Sequence, residues 1–144
     1  MSLVTDYPDP EDSPGLALWR TTMRWQARQR AALKSFGLTH VQFVLLAHLA
    51  SAGEDAPLTQ SRLAQHARTD PMMTSQVIRA LEKARLVART PHPGDARAQL
   101  VTLTSSGAEA VNRAIPVVEA ADRAFFAPLG DHAPEFLEAL RDFT

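Results

Sequence analysis

With 144 residues and 45% hydrophobic side chains, the chain is the size of one domain with a real core and too apolar to be disordered. It has no cysteine, which excludes disulfides, thiolate metal ligands, a cysteine nucleophile and thiol redox sensing. The formal net charge of −1 conceals a basic middle, seven basic against three acidic residues over 59–104, and an acidic end, three against seven over 105–144, a division that suits a polyanionic partner or an ordinary solvated surface.

Residues 1–15 carry three prolines and four acids and read as an irregular arm. That start lacks the basic and apolar regions of a signal peptide, and no run approaches the roughly 18 apolar residues of a membrane span. A cytoplasmic location with no membrane partner is expected. Residues 16–36 predict a long helix with two apolar stripes, Leu16, Trp19, Met23 and Ala27 on one side, Leu18, Trp25, Ala32 and Phe36 on the other. A helix apolar on two sides packs against two neighbours, one of which can belong to a second subunit. Arg20, Arg24 and Arg28 form a ridge between the stripes, repelling one another unless something acidic faces them.

Gly37 ends that helix, and Thr39 with Gln42 opens the next as a capping box. Residues 41–50 are apolar almost all round, so this helix is buried, and 51–57 form a turn. Thr59 caps a short helix that turns Leu63 and Ala67 inward. A second helix follows closely over 71–85, with Asp70 as cap and Pro71 in its first turn. A helix, a tight connection and a helix make a helix-turn-helix. Residues 86–90 and 99–104 read as two strands, and the Pro- and Gly-rich loop between them as a hairpin tip. Ser106, with Glu109, caps a helix to about Phe126. It carries one stripe of Val111, Ile115, Val118 and Phe125 and another of Ala110, Ala114, Val117, Ala121 and Ala124; Pro116 is expected to kink it. A last helix over 134–143 buries Phe136, Leu137 and Leu140.

The fold class this order predicts is mainly α with a small β-hairpin wing, a winged helix-turn-helix. Opposite the core side set by Val77, Ile78, Leu81 and Ala84, the 71–85 helix displays Met72, Ser75, Gln76, Arg79 and Lys83, while Thr74 falls on the core side. Gln bonds adenine bidentately in a major groove, Ser meets either kind of partner, and Met presses on a thymine methyl. Arg79 and Lys83 are better placed for phosphates. A solvated face that merely lacks acids remains the alternative. The hairpin adds Arg89 at its base and Asp95 and Arg97 at its tip, where an Arg can enter a minor groove or form a surface pair with the Asp.

From Leu58-Thr59 through "LAQHA", "VIRALEKARLV" and "DARAQLVTLT", the chain resembles the multiple-antibiotic-resistance regulator (MarR) family of bacterial winged-helix transcription factors. The resemblance covers 16–143 and implies a homodimer, in which 16–36 and 105–144 dimerise within a single domain of 16–144 and 39–104 bind DNA. Asp95 and Arg97 match the family's wing Asp and Arg, and 71–85 its base-reading helix. The implied activity is sequence-specific binding of a pseudo-palindromic double-stranded operator, as a repressor modulated by a small aromatic or anionic effector. Trp19, Arg20, Met23 and His40 are the candidates to line that effector's crevice; the alternative for Trp19 and Met23 is packing at the dimer interface. Two residues depart from the family pattern. Arg85 stands where a Gly is usual, so the turn there is expected to be built differently, and Ala96 replaces a charged tip residue. On those two rests the alternative, a winged-helix protein- or ligand-binding module without DNA binding.

No Gly-rich phosphate loop, nucleophile elbow or His-Glu-x-x-His is present, and the histidines at 40, 48, 66, 92 and 132 are scattered. No enzyme activity, cofactor or metal is expected.

Overall fold

The structure, a computed structural model, describes residues 2–53 and 57–144. Helix α1 spans Pro14–Leu33, two residues earlier than expected because the Ser13 hydroxyl accepts the Leu16 N–H and Pro14 fits the first helical position. Before it the arm forms a short 3-10 turn, Pro10–Asp12, capped by Asp9. A second such turn, Lys34–Phe36, leads to Gly37, whose φ of +66° ends the segment. Helix α2, His40–Ala52, begins at the expected Thr39–Gln42 capping box. Of the expected turn over 51–57, residues 54–56 lie outside the described residues.

Helix α3 (Gln60–Ala67) and helix α4 (Pro71–Lys83) form the helix-turn-helix, and strands β2 (Val87–His92) and β3 (Asp95–Leu103) form the wing. The sheet has a third strand that the sequence did not suggest: β1, Leu58–Thr59, pairs antiparallel with β3, giving the order β1-β3-β2. Part of the expected tip loop is also strand: regular pairing runs to Pro91 opposite Gln99, then shifts register to His92 opposite Asp95, which leaves residues 96–98 bulged on β3 and Pro93 and Gly94 at the turn. Helix α5 spans Ser105–Phe126 and α6 Ala133–Arg141. The cap of α5 is Thr104, not Ser106: its hydroxyl accepts the Gly107 N–H, so the helix starts two residues sooner and runs past Pro116 as one element.

One core joins these elements. Leu33 of α1, Phe43, Leu45, Leu46 and Leu49 of α2, Leu63 of α3, Ile78 and Leu81 of α4, Val87 and Val101 of the sheet, and Val111, Ala114 and Val118 of α5 are buried together. Each fully buried Leu or Ile contributes about 2 kcal/mol by removal from water. Ala114 thus belongs to the buried stripe of α5, while Val117 is exposed. On α1 the inner side is Trp25, Gln29 and Leu33. The Trp25 Nε1–H and the Gln29 amide both donate to Asp122 Oδ1, at 2.8 and 2.6 Å, bracing α1 against α5.

The other side of α1 is uncovered in the single chain, with Trp19 63% and Met23 39% exposed, and in the first turns even Leu18, on the Trp25 stripe, is 61% exposed. The expectation that α6 buries Leu137 and Leu140 is corrected in the same way, since both are exposed and only Phe136 tucks partly in, against Phe126. Helical period identifies an apolar face; it does not identify what covers it. Among the described residues no single helix is long and apolar enough to cross a membrane.

Candidate nucleic-acid interface

The start of α4 is held by short hydrogen bonds from its own sequence. Asp70 Oδ2 accepts the Met73 N–H at 2.9 Å, and the Thr74 hydroxyl lies 2.8 Å from the Asp70 carbonyl and 2.7 Å from the Thr69 hydroxyl. Thr74 is completely buried, so the polar residue that helical phase turned inward satisfies itself against the connecting turn. With that side fixed, Met72, Gln76, Arg79 and Lys83 stand exposed on the other, and Ser75 is half-buried beside them. Met72 is 73% exposed, a large apolar group left in water. Met73, which sequence phase did not single out, joins it at the rim.

Both helices of the motif end on an arginine in the left-handed region, Arg68 at φ +53° and Arg85 at φ +61°. After α4, the Arg85 N–H bonds the Glu82 carbonyl and the Leu86 N–H bonds the Leu81 carbonyl, the paired bonds of a Schellman ending. The expectation of a different turn at Arg85 is therefore corrected. The chain makes the glycine-type turn with an arginine, whose Cβ costs about 1 kcal/mol there. Arg68, on the other side of α4, donates from Nη2 to the Thr144 carbonyl at 2.8 Å.

Arg89 is not a free groove cation. It donates from Nε and Nη2 to both oxygens of Glu82, at 3.1 and 2.9 Å, tying strand β2 to α4. The Arg89 guanidinium holds the Glu82 carboxyl below its ordinary pKa, and the carboxylate raises that of Arg89. This pair also disposes of the one acid at the margin of the α4 face.

At the tip, Asp95 and Arg97 do not form the side-chain ion pair that their spacing allowed. Asp95 Oδ1 accepts the backbone N–H of Arg97 at 3.0 Å. Among the described residues no carboxylate lies within 4 Å of the Arg97 guanidinium, which stands exposed at the end of the hairpin. The aspartate shapes the turn and leaves the cation available. His92 Nδ1 accepts the Gly94 N–H at 2.9 Å, a second tip contact that was missed.

The four effector candidates are not gathered into one cavity of the single chain. Arg20 is paired with Glu11 of the arm, and Trp19 and Met23 lie on the uncovered face of α1. His40 is half-buried edge-on to Trp25, ring centroids 5.1 Å apart, and burial lowers its pKa. It lines a groove of about 540 Å3 with Gln26, Arg30, Lys34 and Thr39. Arg24 and Arg28, the rest of the basic ridge, border a different groove against Ala121, Ala124 and Phe125 of α5. Among the described residues no cluster of three His, Asp or Glu could hold a metal ion.

An acid-free helix face beside a slender hairpin with a free arginine at its tip defines a winged helix-turn-helix regulator that binds DNA. Residues 38–98 match the family described as MarR. Over 130 residues the chain is 44% identical to the uncharacterised HTH-type transcriptional regulator YdcH of Bacillus subtilis (strain 168), covering 88% of this chain and 87% of that protein. The chain belongs to the MarR family; it is a transcriptional regulator and not an enzyme. Over 120 residues it is 36% identical to the HTH-type transcriptional repressor Rv2887 of Mycobacterium tuberculosis (strain H37Rv), covering 83% of this chain and 84% of that one. The structure of Rv2887 in complex with DNA aligns with a TM-score of 0.71 and 34% identity, covering 92% of this chain and 98% of that one. Bordetella bronchiseptica BpsR shares the fold, with a TM-score of 0.86 at 24% identity over 99% and 97% of the two chains.

Proposed function

We propose that the protein is a cytoplasmic homodimeric repressor that reads a pseudo-palindromic operator. In this reading α1, α5 and α6 form the dimer and residues 39–104 the DNA-binding lobe. Helix α4 enters the major groove, where Gln76, Ser75 and Met72 read bases and Arg79 and Lys83 take phosphates. The wing enters the flanking minor groove with Arg97. Arg89 contributes by holding the wing to α4. The observation that carries the reading is the separation of roles at the tip: Asp95 is consumed by the backbone, so Arg97 is offered without a competing carboxylate. The exposed Leu18, Trp19, Leu137 and Leu140 support the dimer, because apolar side chains grouped on α1 and α6 need a cover.

A small effector is part of the same proposal. Of the grooves in one chain, the one at His40 brings Arg30 and Lys34 to the start of α2 and favours an anion. Trp19, Arg20 and Met23 are left to the dimer face.

Gel shifts on the protein's own upstream region test the reading. Binding is expected to weaken steeply with salt, and Arg97→Ala to weaken it on all sequences. Gln76→Ala should instead erode the preference for the specific site. Equal loss for Gln76→Ala on specific and random duplexes would remove its base-reading role, and no shift on any DNA would remove the proposal.

A further inference from the structure

His92 sits one residue before the Pro93-Gly94 turn, opposite Asp95. A backbone N–H can only donate, so the Gly94 N–H on His92 Nδ1 requires that nitrogen to be the acceptor. The neutral ring must then carry its proton on Nε2, and among the described residues Nε2 has no partner. A Cβ on residue 94 would lie 3.3 Å from His92 Cε1, so the ring is seated close against the turn. The rest of the tip is poor in donors: Pro91 and Pro93 have no N–H, and the Arg97 N–H is given to Asp95. Among the tip's side chains, the Arg97 guanidinium and the His92 imidazole N–H are the two donors without a partner among the described residues.

We infer that His92 is a second base-reading residue of the wing, presenting its Nε2–H to the minor-groove acceptors of A·T pairs beside the Arg97 contact. The chemistry selects the groove floor. Adenine N3 and thymine O2 only accept, whereas G·C adds the guanine N2 amino group, a donor facing a donor. The inference rests on the proposed entry of the wing into the minor groove and adds a second donor to the A·T preference that the Arg97 guanidinium, itself donor-only, already supplies.

The test uses duplexes in which the two base pairs under each wing, located by footprinting the wild-type complex, are A·T, I·C or G·C. An I·C pair has the minor-groove face of A·T and the major-groove face of G·C, so it isolates the groove concerned. Wild-type protein is expected to hold A·T and I·C alike and to bind G·C about tenfold or more weaker, the scale of one mismatched pair. His92→Asn keeps an acceptor for the Gly94 N–H and an outward N–H, and should keep the preference. His92→Asp keeps the acceptor alone and should narrow the ratio to what Arg97 supplies; its added charge acts on all three duplexes and cancels in the ratio. Unchanged ratios in His92→Asp, or wild-type protein that binds I·C as poorly as G·C, would overturn the inference. Arg97→Ala separates the two claims. If it weakens all three duplexes, the wing enters the groove and only His92 is on trial; if it changes nothing, the wing reading fails and takes the inference with it.

Discussion

Gly107→Ala provides a test of sign. In an ordinary helix the change stabilises by about 1 kcal/mol. Gly107, in the first turn of α5, is buried, and a Cβ there would stand 2.0 Å from the Leu86 carbonyl oxygen and 2.9 Å from Leu103 Cδ1. Ordinary contact begins at 3.4 Å, so the obstacle must retreat by more than an ångström. It is a backbone oxygen already engaged, since Leu86 O accepts the Thr104 N–H at 3.1 Å and the Thr104 hydroxyl donates to Arg85 O at 2.7 Å. Overpacking against such a group costs about 3 kcal/mol, at the upper end of its usual range. Set against the propensity gain, the net loss is about 2 kcal/mol, which moves a urea midpoint down by about 1 M at one fixed protein concentration. Because Leu86 leads into β2, retreat also moves the wing relative to α4, and operator affinity should fall with stability. An alanine variant as stable as the parent or more so would refute the packing argument.

Replacing Arg85 by Gly should stabilise by about 1 kcal/mol, raising Tm by about 3 °C, because the turn keeps its shape and sheds the left-handed Cβ; a lower Tm would mean that the guanidinium contributes. Arg89 holds the Glu82 carboxyl below its ordinary pKa, so the pair's contribution is complete above the unfolded carboxyl range and lost as pH falls through the depressed value. The stability gap between wild type and Glu82→Gln should therefore close on acidification, and a gap that is constant with pH would contradict the pairing. His40 has the opposite proton preference, since burial lowers its pKa despite Asp122 and Arg30 adds to the lowering. The unfolded chain binds that proton first, so stability falls as pH drops through 6.5 and levels off below the folded value. His40→Gln should flatten this part of the curve.

The features legible in the sequence are those set by neighbours along the chain. The phase of α4, the inward Thr74, the Thr39–Gln42 box and the Asp70 cap all depend on residues within one or two turns. The illegible ones depend on contacts between distant residues or on hydrogen-bond geometry. Asp122 lies more than 90 positions from Trp25 and Gln29, and no periodic pattern announces their bond. Strand β1 has two residues, too few to alternate, and exists because β3 is there to receive it. Spacing brought Asp95 near Arg97 but could not say that the carboxylate would choose a backbone N–H over the guanidinium. Arg89 read as a candidate groove cation from its place at the base of the hairpin; the turn at Arg85 brings it to Glu82 instead.

The prolines of the wing have a further consequence. Pro91 lies on the edge strand β2 opposite Gln99, where a missing donor costs the sheet nothing and discourages pairing with a stray strand. With Pro93 it fixes two φ angles of a tip already cross-linked by the His92–Gly94 and Asp95–Arg97 hydrogen bonds. A slack hairpin end would surrender about 1–2 kcal/mol of backbone entropy per residue on entering a groove. Here much of that ordering is completed when the protein folds, so a wing that enters a groove as proposed would do so largely pre-ordered, and more of its contact energy would count toward the lifetime of the complex.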